Sequence, residues 1–443
     1  MSEYFLPLMI FIAPGVLAAL VYPLRRWKIG VWIAAAAAIL MAWAALFVLP
    51  ERGFVLLGRQ FFVDTFSAQV WGGLWLALAV LFALSAEFSQ GWTFFPAGIL
   101  LVGLSGWAMA SPHLGIAALF MEIAALVSVF AIQGGRIGSV RAAQRFLVMM
   151  TLATPLFLLA AWYLDAAPGG KFAGQIALLS AGGFALWLGV APLHGWITAM
   201  ARESLPGATV LVVLIFPTVA LVWLLRLTVV APWLGDVQFA STALLWGGAL
   251  SIIVGGGFTA AQNSFSALLG YSAVFQLGAS VMALGLQNKT GVTIVLFGLA
   301  VRFVALLVLA AAIAIIRQGI KRDAFDRAAG IARWYPVAAF GLMVGGAALA
   351  GAPLTGGFIS HWFLLKATAG VDSRLPVVVL LGSIGVTTGY LRGLWYLLRP
   401  AVAGASFSTG RYWMASAIIF VGSIAIIAVG IFPQSLLNWI AAI

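Results

Sequence analysis

The stretch Met343-Val-Gly-Gly-Ala-Ala-Leu-Ala-Gly-Ala-Pro-Leu-Thr-Gly-Gly-Phe-Ile-Ser-His-Trp-Phe-Leu-Leu-Lys366 is an apolar segment interrupted at Gly351-Ala352-Pro353 and again at Gly356-Gly357. An apolar segment of this length predicts a membrane helix. Proline and paired glycines predict that it breaks, freeing backbone carbonyls and amides in mid-membrane. His361 follows the break and Lys366 comes five residues later. Freed backbone dipoles beside a titratable side chain are the material of an intramembrane ion site. A proline kink beside a hydrogen-bonded histidine would produce the same pattern once, but the pattern recurs. Gly182-Gly-Phe-Ala-Leu-Trp-Leu-Gly-Val-Ala-Pro-Leu-His-Gly-Trp196 is again apolar helix, then Ala191-Pro192, then His194.

Composition sets the class. With 64% hydrophobic and 8% charged residues, the chain is far from a soluble domain, in which about a quarter of residues are charged. It reads as an all-α polytopic membrane protein. The absence of cysteine excludes disulfides and thiolate metal or cluster ligation by this chain, and three histidines leave little for imidazole chemistry. No cofactor, metal or catalytic site is expected. The net charge of +12 is taken as a topology signal and an attraction to anionic lipids rather than to nucleic acid.

Apolar runs of about 20 residues fall near 4–23, 30–49, 65–86, 94–110, 114–133, 145–165, 173–191, 208–230, 240–261, 264–286, 291–316, 336–370, 375–397 and 413–436, and predict about 14 transmembrane helices. The first run lacks a small-residue cleavage site and is expected to be retained. Loops after odd-numbered runs carry Arg25, Arg26, Lys28, Arg136, Arg141, Arg145, Arg202, Arg317, Lys321, Arg322, Arg327, Arg333, Arg399 and Arg411; those after even-numbered runs carry Arg52, Arg59, Lys171, Lys289 and Arg374. The positive-inside rule puts both termini outside a bacterial-type inner membrane. The broken helices are the seventh and twelfth runs, five apart. An odd offset inverts the second copy, so runs 4–8 (about 94–230) and 9–13 (about 240–397) are expected to be inverted five-helix repeats within one membrane domain, 1–443.

Few polar groups lie inside the runs. Glu122 is the single carboxylate in the middle of one, where it must be neutral, paired or hydrated. Arg302 is mid-run and needs an anionic or carbonyl partner. His194 and His361 follow the breaks and belong to the residue type that titrates near neutral pH. Ser272 and Gln276 are i,i+4 neighbours that would line a hydrated path on one helix face. Arg226, Lys366 and Arg392 lie near run ends, where snorkelling accounts for them. His113 falls in an outside loop and receives no role.

At these residues the chain resembles the antiporter-like, proton-conducting membrane transporter family: respiratory complex I subunits N, M and L, and their relatives in Mrp-type sodium/proton antiporters and membrane-bound hydrogenases. Pro192-Leu-His-Gly-Trp196 is similar to the family's P-L-H-x-W, and Leu268-Leu-Gly-Tyr-Ser-Ala-Val-Phe-Gln-Leu-Gly278 to its L-L-A-Y-S-S-I-x-x-x-G. Gly351-Ala-Pro-Leu-Thr-Gly-Gly-Phe-Ile-Ser-His361 is similar to G-x-P-x-T-x-G-F-x-G-K, and Met121-Glu122 stands where the family has W-E. The resemblance spans roughly 110–370 and implies an ion pathway of Glu122, His194, Arg302, His361, Ser272, Gln276 and Lys366.

The departures bear on mechanism. Trp187 occupies the family's seventh-helix lysine position, no lysine stands near Pro217-Thr218, and His361 replaces the closing lysine or glutamate. The eleventh-helix lysine falls near Val304, with Arg302 two residues earlier. The resemblance implies a proton- or cation-translocating subunit of a complex I-like or Mrp-like assembly. Its partners would be other membrane subunits and a quinone- or ferredoxin-linked oxidoreductase. The missing lysines equally suit a structural platform subunit that has lost pumping, and a free-standing secondary transporter is the third reading.

Overall fold

The computed structural model describes residues 2–24, 27–134, 139–166, 169–320, 323–401 and 410–441. Arg25, Arg26, Arg136, Lys321 and Arg322 of the charge census lie outside them. The helices are α1 (Ser2–Leu24), α2 (Lys28–Trp43), α3 (Thr65–Ser85), α4 (Phe94–Ala110), α5 (Leu114–Gln133), α6 (Val140–Ala166), α7 (Ala173–Leu188), α8 (Gly195–Glu203), α9 (Pro206–Val230), α10 (Gln238–Ala261), α11 (Phe265–Leu284), α12 (Lys289–Ile320), α13 (Ile331–Trp334), α14 (Pro336–Ala350), α15 (Gly356–Ala369), α16 (Arg374–Leu398), α17 (Trp413–Ile431) and α18 (Pro433–Ala441). Among the described residues eleven helices are long and apolar enough to cross a membrane, and α4, α7 and α14 are shorter apolar helices. The chain is an all-α, multi-pass membrane fold.

Its residues form two compact units, 1–188 with 203–240, and 189–202 with 241–442. Each is built round a helix enclosed along nearly its whole length. In the first unit this is α9, 89% of whose span is buried; in the second it is α11, at 94%. By contrast α17, at 22%, is peripheral.

Two features depart from the expected runs, and the twelfth run breaks as expected. Residues 52–63 form an antiparallel hairpin, β1 (Arg52–Leu56) with β2 (Arg59–Val63), pairing Phe54 with Phe61. Its turn residues Leu57 and Gly58 both have positive φ, as the tightest hairpin turns require. Phe54 and Phe61 stack 5.3 Å apart and meet Trp107 edge-on, so the strands are held by aromatic packing. The last expected run ends at Ile431, and α18 is a separate helix. The twelfth run is two helices, α14 and α15.

In the second unit α10 and α16 cross backbone to backbone. A methyl group added at Gly256 would lie 2.5 Å from Gly382 Cα, and one at Gly389 would lie 2.5 Å from the Thr259 carbonyl oxygen. Only glycine permits so close a crossing.

Candidate functional site: a histidine cavity beyond the second helix break

Both predicted breaks are present. α14 ends at Gly351, whose φ of +74° is the left-handed cap that glycine adopts without strain. A side chain there would run into the His361 ring, its Cβ 2.5 Å from Cγ. Gly357, in the first turn of α15, approaches so closely that a Cβ would lie 1.8 Å from the Ala348 carbonyl oxygen. The glycines thus fold the break tightly against the histidine.

His361 is 4% exposed. Its Nδ1 lies 2.8 Å from the Gly357 carbonyl oxygen, which can only accept, so Nδ1 carries the hydrogen and the neutral ring keeps a lone pair on Nε2. Nε2 is buried without a partner among the described residues. The ring stacks on Phe275 of α11, centroids 5.4 Å apart and planes at 13°.

A small cavity opens beside it, lined by Gln276, Ser280, Gly298, Ser360 and His361 with the apolar Ala279, Ile294 and Leu364. It exists because Gly298 has no side chain: a Cβ there would sit 3.7 Å from Gln276 Nε2 and 3.8 Å from Ser360 Oγ. The lining residues include an amide, two hydroxyls and an imidazole, groups that can hold water and relay a proton. Arg302, fully buried, follows Gly298 by four residues on α12 and so shares its face.

The other expected site residues are distributed as follows. Ser272 lies one turn from Gln276 on α11, donates to the Leu269 carbonyl and bonds the Tyr390 hydroxyl at 2.9 Å; it does not line the cavity. Lys366 is exposed in the last turn of α15 and is not among the lining residues. His194 follows the first break, where Gly189 takes a φ of +61°. There the Ala191 amide donates to Ser251 Oγ, 2.9 Å away, and Ser251 donates to Gly247. His194 lies 6.0 Å from the Tyr271 ring and is absent from the cavity lining.

Glu122 belongs to the first unit. Its Oε1 accepts from Thr151 Oγ1 at 2.7 Å and its Oε2 from Thr154 Oγ1 at 2.8 Å, both on α6. Trp187 is buried and packs on Phe157, centroids 4.4 Å apart, so an aromatic cluster fills the position where a lysine was sought.

Snorkelling does not describe two of the arginines. Arg226 donates to the Met109 and Ser111 carbonyls and pairs with Asp64 at 2.8 Å, while Arg392 donates to Ala260 and Asn263. Each tethers a helix end.

Sequence reasoning missed Ser280, Gly298 and Ser360. Ser280 was within reach, since it continues the i,i+4 stripe from Ser272 and Gln276.

A family model described as NADH:quinone oxidoreductase/Mrp antiporter, transmembrane, matches residues 111–388. Subunit N of NADH-quinone oxidoreductase from Rhodopseudomonas palustris is 28% identical over 322 residues, covering 69% of this chain and 68% of that protein. Formate hydrogenlyase subunit 3 of Escherichia coli is 26% identical over 300 residues, 60% of this chain and 47% of the relative. Among solved structures, a chain of respiratory complex I from Thermus thermophilus with bound NADH superposes with a TM-score of 0.83 at 21% identity, covering 98% of this chain and 97% of that one. A chain of the Mrp complex from Dietzia gives 0.86 at 17%, covering 99% of this chain and 51% of its own length.

Proposed function

Because the chain belongs to the NADH:quinone oxidoreductase/Mrp antiporter membrane family, it is an antiporter-like membrane subunit, and we propose that it moves protons through its second unit with His361 as the titrating group. The observation that carries this reading is a buried histidine whose Nε2 has no partner among the described residues, in a residue set that lines a small cavity. Neutral imidazole both donates and accepts, so it passes a proton without a permanent buried charge. Gln276, Ser280 and Ser360 hold the water that delivers it, and Arg302 sets the local potential from one turn along α12.

The chain works within a multi-subunit membrane complex driven by a redox partner, the class that the names of its relatives describe. Both termini face outside, following the distribution of Lys and Arg. The two halves, each with one broken helix, are inverted repeats of which the second keeps the relay. Trp187, packed in an aromatic cluster, favours loss of the corresponding route in the first half.

The test is proton movement by the intact complex in sealed vesicles, followed with a pH-sensitive dye. His361→Ala is expected to assemble and to lower coupled proton movement to background, with His361→Lys retaining part of it. A wild-type complex that moves no protons, or a fully active His361→Ala complex, would support the platform reading instead.

A further inference from the structure

We propose that the end of α16 at Arg399 binds the phosphate headgroup of an anionic phospholipid, whose acyl chains run along an exposed apolar stripe of the same helix. The inference holds whether or not the subunit moves protons.

Arg399 caps α16 on the side of the membrane whose loops hold most of the chain's Lys and Arg. Its guanidinium carbon lies 4.0 Å from the centre of the Trp395 ring and 4.5 Å from that of Tyr396. The two rings hold the charge in place by cation–π attraction. An aromatic face supplies no oxygen to the five N–H groups of the guanidinium, however. Among the described residues no carboxylate pairs with Arg399, and its side chain donates no hydrogen bond.

Arg392, two turns earlier on the same helix, shows the contrast. Also half-buried, it gives its donors to the Ala260 carbonyl and to Asn263, as a tethering arginine does. Arg399 is positioned by rings instead and keeps its planar fork free, the shape that takes two oxygens of one phosphate. A second positive charge stands at the same helix end. α13 packs against α16, and a Cβ at Gly330 would lie 2.6 Å from that of Ala401. The exposed Arg333 follows Gly330 by three residues.

Val377, Leu380, Ile384, Leu391, Trp395 and Leu398 are all exposed, at spacings of three, four and seven residues that put them on one face of α16. Thr388 falls within this stripe and is exposed, but it donates to its own Ile384 carbonyl. The stripe therefore offers a protein partner no polar group to satisfy until it reaches Arg399. An apolar line that ends in a free guanidinium matches a molecule with hydrocarbon chains and an anionic head. A free phosphate ion would use the arginine and leave the stripe bare.

The intact complex is placed in phosphatidylcholine vesicles that contain a small fraction of phosphatidylglycerol bearing a photoreactive diazirine, and labelled peptides are identified by mass spectrometry. The α16 peptide around Trp395 and Arg399 is expected to be labelled. Unlabelled phosphatidylglycerol should displace the label, whereas added phosphatidylcholine and inorganic phosphate should not. Arg399→Gln should lower the label about fivefold, the factor that one surface charge contributes. Arg399→Lys keeps the charge but loses the fork, so its label should fall between the two. Arg141→Gln, which removes an exposed arginine of the first unit on the same side, should leave it unchanged. Labelling of α17 around the exposed Phe420 and Val421 reports ordinary lipid contact, and its constancy shows that each variant is folded. Should Arg399→Gln fail to assemble, Arg399→Lys carries the test.

Unchanged label in Arg399→Gln or Arg399→Lys would overturn the proposal, as would displacement by phosphatidylcholine as strong as by phosphatidylglycerol. Displacement by inorganic phosphate would make Arg399 a free-anion site instead. Label on a helix of another subunit in place of the α16 peptide would mean that protein, not lipid, covers the stripe.

Discussion

His361 and Gly357, one turn apart on α15, are joined by a 2.8 Å contact between Nδ1 and the carbonyl oxygen. The bond uses the helix's own backbone to choose which ring nitrogen holds the hydrogen. Nε2 is thereby the nitrogen that receives a proton, and the ring is fixed against Phe275 while it does so.

Gly357→Ala is expected to destabilise the subunit by about 1–3 kcal/mol, because its Cβ would overlap the Ala348 carbonyl oxygen. Thermal unfolding in detergent measures this. An unchanged transition would mean that α14 and α15 can separate freely at the break.

Gly298→Ala should fold normally, since the added methyl meets Gln276 and Ser360 at ordinary contact distance. It should slow proton movement by displacing water, and Gly298→Leu should reduce it to background. Vesicle assays of the two variants rank the effect by side-chain volume; equal activity in both would remove the cavity from the route.

Ser251→Ala leaves the Ala191 amide without its acceptor. A buried donor so abandoned costs about 1–3 kcal/mol. Hydrogen exchange over residues 189–195 should accelerate while the amides of α11 stay protected. Uniform acceleration would indicate general loosening rather than a local latch.

Trp187→Ala removes the indole packed on Phe157 and Phe184 and is expected to cost about 3–5 kcal/mol, as for other large core truncations. Proton movement per assembled complex should be unchanged, because the cavity lies in the other unit.

The breaks were legible because Pro192, Pro353 and the glycines act on their own backbone, a local effect. Glu122 and Arg302 stood out because a charge inside an apolar run has no local excuse. Their partners did not, since Thr151 and Thr154 meet Glu122 across two helices and no spacing within one helix reports that. For the same reason His113, to which no role was given, proves to bond Asp165 at 3.0 Å, and Tyr390 proves to cap Ser272. Ser272 and Gln276 share a helix face as expected, yet one meets a tyrosine and the other a cavity, because their surroundings come from different helices. The hairpin was too short to register as alternation against so apolar a background, and aromatic contacts distant in sequence hold it.

The glycine crossing of α10 and α16 limits how the second unit can move. Where side chains interlock, one helix slips past another by exchanging rotamers. Between Gly256 and Gly382 no side chain is present to exchange, and both there and between Gly389 and the Thr259 carbonyl the backbones closely approach one another. The two helices therefore behave as one welded strut. Between the strut and the histidine cavity, whose lining comes from α11, α12 and α15, the chain's interruption at Gly351–Gly357 is where the hydrogen-bonded helix is already open to adjustment.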